Sequence, residues 1–373
     1  MPRSRSSLCA VLSCVFGAAV LSSPVAAETF TDLYTLSIPS GFARAEPGLG
    51  ECAVNGQLVG IGLNATIFTA HAQVWSGPSG SNVDLNPTGF SYSFAYGTTG
   101  TQQYGYGFNT ADSTYHALMW SGTAASVVDL APTSFLNSYC YGAGGTQQVG
   151  QGDSVATSQN YHALLWTGSA ASYADLNPTG FLQSAATATN GSHQTGYGFT
   201  TVGNVQHALL WLGTAASAID LNPAGFTYST TVAIAGNEEV GNGTATSTGG
   251  QWHAMVWAGS AASAVDLGTG GYVSSYGMGT DGISQVGYGI DASNHNHALL
   301  WSGTAASCVD LSAVVPSTFT DSYAISVSGN TIYGYAIDTS GDYHAVSWAV
   351  PEPMGLTGLG GAVLALFYRR RNK

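Results

Sequence analysis

The sequence predicts an all-β protein, a ring of seven four-stranded blades. Three observations carry that prediction. His-Ala-x-x-Trp recurs seven times, at a spacing of 44 to 47 residues. Each copy lies in a unit of four short segments rich in Tyr, Phe, Val and Trp, separated by Gly, Thr, Asn and Asp. No segment has a helical apolar period long enough to matter. Four strands in about 45 residues is the size of a β-propeller blade. An irregular β-solenoid is the competing all-β arrangement.

The chain opens with MPRSRSSLCAVLSCVFGAAVLSSPVAAETF. Arg3 and Arg5 precede an apolar run from Leu8 to Leu21, and Val25-Ala26-Ala27 offers small residues for cleavage. This pattern predicts an export signal over residues 1–27, removed by signal peptidase after Ala27. Residues 28–349 are then the repeat domain and residues 350–373 a separate tail.

Within the domain, residues 90–130 show the unit. Its strands are FSYSFAYG, QQYGYGF, YHALMW and ASVVDL. The third is apolar on both faces, as expected where each blade packs between two others. A Gly-x-Gly precedes the first six His-Ala-x-x-Trp copies, while the seventh unit reads TIYGYA. Asp-Leu follows the first six histidines by thirteen residues. The pairs are His71 with Asp84, His116 with Asp129, His162 with Asp175, His207 with Asp220, His253 with Asp266, and His297 with Asp310.

The Gly-Ser or Gly-Thr after most of the tryptophans suits a two-residue type II′ turn. Centring the hairpin on Gly122-Thr123 sets His116 opposite Asp129, Leu118 opposite Val127 and Trp120 opposite Ala125. His and Asp are then cross-strand neighbours in every blade. The seventh histidine, His344, has no Asp-Leu behind it, whereas Asp32-Leu33 has no histidine before it. The ring is therefore expected to close through an N-terminal strand, with Asp32 facing His344, Phe30 facing Val346 and Glu28 facing Trp348.

A His–Asp pair can orient a general base or serve as a packed polar contact. Repetition favours the second, because an enzyme needs one site and a framework rule applies in every unit. The expectation is a non-enzymatic chain with no catalytic residue, no cofactor and no metal site. Histidines about 45 residues apart fall in different blades, which disfavours zinc. The carboxylates of these pairs are expected to be buried and to need the imidazole N–H.

Composition narrows the partners. Net charge is −13, and Arg44 is the single Lys or Arg in residues 28–349. Nucleic acid is excluded as a partner, since phosphate binding needs cations, and an anionic membrane surface is disfavoured. Arg44 is expected to pair locally with Glu46 or Glu51. Glu238-Glu239 and His193 fall at a turn position and are expected to face solvent. The Asp338–Asp342 loop offers oxygens to a cation but lacks a full ligand spacing. Cys52, Cys140 and Cys308 are an odd set at irregular spacing, so one disulfide or three free thiols both stay open.

The tail reads VPEPMGLTGLGGAVLALFYRRRNK. Pro351-Glu352-Pro353 leads into an apolar run and a terminal arginine cluster. This three-part pattern resembles the PEP-CTERM sorting signal of Gram-negative bacteria. The resemblance implies recognition by an exosortase, removal of the tail, and display at the cell surface or in an exopolysaccharide matrix. Membrane contact would run only through this transiently anchoring transmembrane helix, before processing. The repeat resembles the extracellular HAF repeat, with His253-Ala254-Met255-Val256-Trp257 and Asp266-Leu267-Gly268-Thr269-Gly270-Gly271 as the nearest copy. That likeness implies a repeat fold outside the cell and brings no activity with it.

The function expected is a secreted or surface-displayed matrix protein, for adhesion or glycan contact with exopolysaccharide. Two rivals stand beside it. A polysaccharide-active propeller enzyme would gather carboxylates with His or Arg on its innermost strands. A lectin-like ring would repeat exposed aromatics in its loops.

Overall fold

The computed structural model describes residues 29–350, apart from 39–41, 43, 49–51, 65–68, 77–80 and 154–155. The export signal, Glu28 and Pro351–Pro353 with the tail behind them lie outside the described residues. Among the described residues no helix is long and apolar enough to cross a membrane.

Seven antiparallel sheets form a β-propeller. Blades one to six span residues 44–84, 90–129, 137–175, 181–220, 226–266 and 274–310. Blade seven takes Phe319–Ser328, Thr331–Asp338 and Tyr343–Ala349 from the end of the chain and Thr29–Thr35 from its beginning. In each blade the first strand is innermost, and the strand carrying Asp is outermost.

The His-Ala-x-x-Trp strand feeds two interfaces because its side chains alternate. In blade three, Leu164 and Trp166 pack back on Cys140, Leu130 and Met119. Ala163 and Leu165 pack forward on Leu209 and Trp211 of blade four. All seven motif tryptophans are fully buried. Each withdraws 150–250 Å² of ring from water, about 4–6 kcal/mol of transfer free energy.

Two further rules repeat. The innermost strand bulges, as between Ala95 and Gly97. The bulge carries the Phe94 carbonyl to 1.9 Å from where a Cβ on Gly105 would stand, so the first Gly of Gly-x-Gly admits no side chain. A buried serine of the next blade's innermost strand accepts the backbone N–H of the motif alanine. Ala117 N donates to Ser138 Oγ at 3.0 Å, and Ala163 to Ser184, Ala208 to Ser229 and Ala254 to Ser275 do likewise. These bonds tie successive blades through groups that neither ladder uses.

The outer hairpin differs from the type II′ expectation. After Gly122, which has φ +85°, Ala124–Ser126 form a turn of 3-10 helix. Ser126 Oγ accepts Ser121 N at 2.8 Å and donates to Thr123 O at 2.6 Å. The turn therefore consumes more residues, and the register moves by two. Asp129 lies opposite Leu118, not His116, and Met119 lies opposite Val128. The same shift recurs wherever Ala-Ala-Ser follows the turn glycine.

The N-terminal strand closes the ring, also in another register. Phe30 lies opposite Trp348, Asp32 opposite Val346 and Thr35 opposite His344, with a bulge between Asp32 and Tyr34.

Candidate functional site

In six blades the histidine and aspartate meet despite the shifted register. Nδ1 of His71, His116, His162 and His207 lies 2.7 Å from Oδ2 of Asp84, Asp129, Asp175 and Asp220. His253 lies 2.9 Å from Asp266, and His344 lies 3.0 Å from Asp32. Each contact is a diagonal reach along one sheet face, which long side chains can span. The other carboxylate oxygen closes a turn. Asp129 Oδ1 accepts Ala131 N, Asp175 accepts Asn177 N, and Asp220 accepts Asn222 N, at 2.8–2.9 Å. The aspartate thus pins both the histidine and the chain leaving for the next blade.

These carboxylates are not buried. Their side chains are between 39% and 47% exposed, while the histidine partners are 12–27% exposed. In blades two to five the strand that carries Asp is only two residues long and lies at the rim, where water reaches it.

Blade six departs from the pairing. His297 Nδ1 lies 2.8 Å from Ser312 Oγ, and Ser312 Oγ donates to Asp310 Oδ1 at 2.5 Å. Tyr272 OH donates to Asp310 Oδ2 at 2.8 Å. The expected His297–Asp310 contact is replaced by a serine bridge, because Ser312 lies in the first turn of a short helix, Leu311–Val314, capped by Asp310. Ser, His and Asp in contact invite comparison with a nucleophilic triad. The single hydroxyl proton of Ser312 is directed at Asp310, so His297 must donate through Nδ1 and cannot take that proton. The arrangement is a cap and not an activated nucleophile.

His116 carries a second carboxylate. Its Nε2 lies 3.0 Å from Asp112 Oδ2, and the hydrogen bond to Asp129 is the first cause of a raised imidazole pKa. Asp338, in the loop whose spacing falls short of a cation site, spends Oδ1 on the N–H groups of Ser340 and Asp342. Among the described residues no cluster of three or more His, Cys, Asp or Glu could hold a metal ion.

Glu238 and Glu239 were expected to face solvent, and Glu239 does not. It is 1% exposed, and its Oε2 accepts Gly259 N at 2.8 Å. Four other blades use glutamine at this point, Gln103, Gln148, Gln194 and Gln285, on Gly122, Gly168, Gly213 and Gly303. Burial pushes the Glu239 carboxyl pKa upward. Glu238 accepts Thr280 Oγ1 and Gln285 Nε2 of blade six. The strand pleat decides this: Glu239 lies opposite Trp257 and shares its buried face.

The innermost strands are not uniformly free of charge. Arg44 and Glu46 form an ion pair on that strand of blade one, and Asp321 stands on the adjoining strand of blade seven. Burial opposes the Asp321 carboxylate, yet two hydrogen bonds of 2.9 Å from Asn296 outweigh it and lower its pKa. Tyr343 feels the charges of Glu46, Arg44 and Asp321 together. No disulfide joins Cys52, Cys140 and Cys308, the first two of which are buried. Burial raises the Cys140 thiol pKa to about 12 and that of Cys308 to about 11, which leaves both unreactive near neutrality.

No protein-family model and no curated protein matches the chain. Solved structures resemble it in fold. The β-propeller domain of the Trilobed protease from Pyrococcus furiosus superposes with a TM-score of 0.54 at 6% identity, covering 84% of this chain and 96% of that one. An oligogalacturonate lyase from Vibrio parahaemolyticus gives 0.50 at 10% identity, covering 88% and 99%. A puromycin hydrolase gives 0.50 at 11% identity, covering 90% of this chain and only 58% of that one. At such identities the likeness shows the propeller and nothing finer.

Proposed function

We propose that the chain is an exported, non-enzymatic β-propeller of the cell surface or exopolysaccharide matrix that contacts glycan. One observation carries the reading. The conspicuous histidines are bound within their own blades, through Nδ1 to Asp or Ser312, in all seven units. They act as framework, as the buried tryptophans do. Signal peptidase and an exosortase-type enzyme are the proposed processing partners, acting at Ala27 and at Pro351-Glu352-Pro353. The acidic chain favours a partner that needs no cation. Hydrolysis assays on a panel of polysaccharides and esters, beside a glycan-array screen of residues 28–349, test this. Binding without turnover is the expected result. Turnover abolished by His162→Ala at unchanged stability would overturn it. Intact-mass measurement of protein from the cell surface tests the processing, and a chain still carrying Arg369–Lys373 would contradict sorting.

A second reading, a polysaccharide-active propeller enzyme, has one observation in its favour. Arg44 and Glu46 pair on the innermost strand of blade one, and their charges and that of Asp321, on the innermost strand of blade seven, all reach Tyr343. Asp321→Asn and Arg44→Ala would remove that activity and leave binding elsewhere on the ring unchanged.

A further inference from the structure

Seven of the eight tryptophans are the buried motif residues. The eighth, Trp252, stands half-buried at the surface of blade five, directly before His253. Across from it is Tyr228, 42% exposed, the one Phe, Tyr or Trp among the described residues that stands exposed. Between them runs an open groove of ≈ 610 Å³, within the range of small-molecule sites. Thr227, Thr244 and Thr246 line it with Ala245, Gly249 and Gly250, and no charged side chain enters it.

Blade five builds this groove by breaking the repeat. Its second strand, Glu238–Ala245, runs into a 3-10 turn at Thr246–Thr248. Gly249 and Gly250 follow, both left-handed at φ +66° and +80°. That left-handed pair steers the chain away from the sheet before it returns at Trp252. The Trp252 carbonyl is fixed by Ser275 N at 2.9 Å, and its ring lies 6.5 Å from Tyr276 at 30°. The indole is therefore held by blade six.

We infer that this groove binds a neutral glycan, with pyranose C–H faces against Tyr228 and Trp252 and sugar hydroxyls on the threonines. Aromatic faces carry negative potential and attract polarised C–H groups, at little entropic cost because the rings are stiff. A charged ligand finds no counter-charge in the groove. Arg44, the single cation of the described residues, belongs to blade one and is paired with Glu46. An anionic polymer is further opposed by the acidic chain. A second cleft of ≈ 160 Å³ between blades three and four opens on the same end of the ring. It holds Tyr161, Tyr197 and Phe199, and Phe199 pairs with Gln183 as Thr244 does with Tyr228. One long glycan reaching both places accounts for uncharged surfaces at both.

This inference rests on the glycan-contact reading and locates it. The test is affinity electrophoresis of residues 28–349 through gels containing dextran, laminarin, xyloglucan or polygalacturonate, with tryptophan fluorescence titration of the polysaccharide that retards it. Retardation by a neutral polysaccharide is expected. Tyr228→Ala and Trp252→Ala should each weaken it at least tenfold, and Trp252→Phe should keep binding but lose the fluorescence change. Ile283→Ala, exposed on a turn at the other end of the blades, should bind as the parent does. Tyr228 is exposed, so its substitution leaves the fold intact even where that of Trp252 does not. Neutral-glycan binding that survives both groove substitutions would overturn the site and leave the broader reading standing. Retardation by polygalacturonate alone would overturn the neutral class. Binding of no polysaccharide would overturn both.

Discussion

Blades four and five stand side by side on one scaffold and differ in what they do with the same positions. Both bury the motif tryptophan, pair His with Asp and tie the motif alanine to the next serine. Blade four has Gln194 where blade five has Glu239, and Gln206 where blade five has Trp252. In blade five the indole of Trp257 donates to Leu221 O of blade four at 2.9 Å, whereas the Trp211 indole N–H finds no protein acceptor. Positions that agree across blades hold the ring together. Positions that differ are where this ring acquires surface character.

Cutting at both kinds of position tests that division most directly. Trp211→Ala removes a fully buried ring and should cost about 3–5 kcal/mol in urea unfolding. Trp252→Ala, at the surface, should cost no more than about 1 kcal/mol. Equal losses would erase the distinction between framework and groove.

The His–Asp pairs come next. Asp220→Ala loses both His207 and the Asn222 N–H and should cost about 1–2 kcal/mol. His207→Ala loses one partially exposed contact and should cost less. Their coupling in a double-mutant cycle should be at most about 1 kcal/mol, since half-exposed ion pairs are screened. Blade five should behave alike at His253 and Asp266. A coupling of several kcal/mol would mean a desolvated pair, contrary to the observed exposure.

The two indoles separate the blades more finely. Trp257→Phe loses a hydrogen bond that Trp211→Phe does not, so its extra cost should be roughly 0.5–1.5 kcal/mol beyond the shared loss of ring area. Matching melting temperatures for the two variants would refute this.

The smallest effect concerns acid. Glu239 has its pKa raised in the fold, so the fold prefers the protonated carboxyl. That preference weakens the protein as pH rises from the ordinary carboxyl pKa through the raised one. Glu239→Gln should therefore raise the melting temperature at pH 7 and change it little at pH 4. Gln194→Glu in blade four should do the reverse. His116, also raised, adds stability that is complete below the ordinary imidazole pKa and lost as pH climbs through the raised one.

How far these contrasts could be read in the sequence depended on the kind of residue. His-Ala-x-x-Trp marks each blade because each blade buries its tryptophan between sheets, and its spacing is the blade itself. The register was misjudged because Ala-Ala-Ser has no apolar pattern to announce a 3-10 turn, and the serine hydroxyl that holds it looks like loop filler. Ser312 went unnoticed for a similar reason. The residue two after Asp varies among Asn, Ala, Gly and Ser in blades one to six, and only in blade six does its hydroxyl intercept the histidine. Glu239 could have been found by strand alternation, since it lies two residues before the buried Gly241, on the same face of the strand. The groove lies at the connection between second and third strands, whose sequence differs from unit to unit, so periodicity has nothing to compare.

Closure through Thr29–Thr35 has a topological consequence. Thr29 lies opposite Ala349, so the described chain returns to within one strand spacing of its start. The polypeptide is almost a cycle, and the seam in blade seven is only one of seven places where such a cycle could be cut. A linker joining Ala349 to Thr29, with new ends opened between blades three and four, should give the same ring from a permuted gene. The order in which the blades emerge during synthesis would change, while the partners each blade finally meets would not.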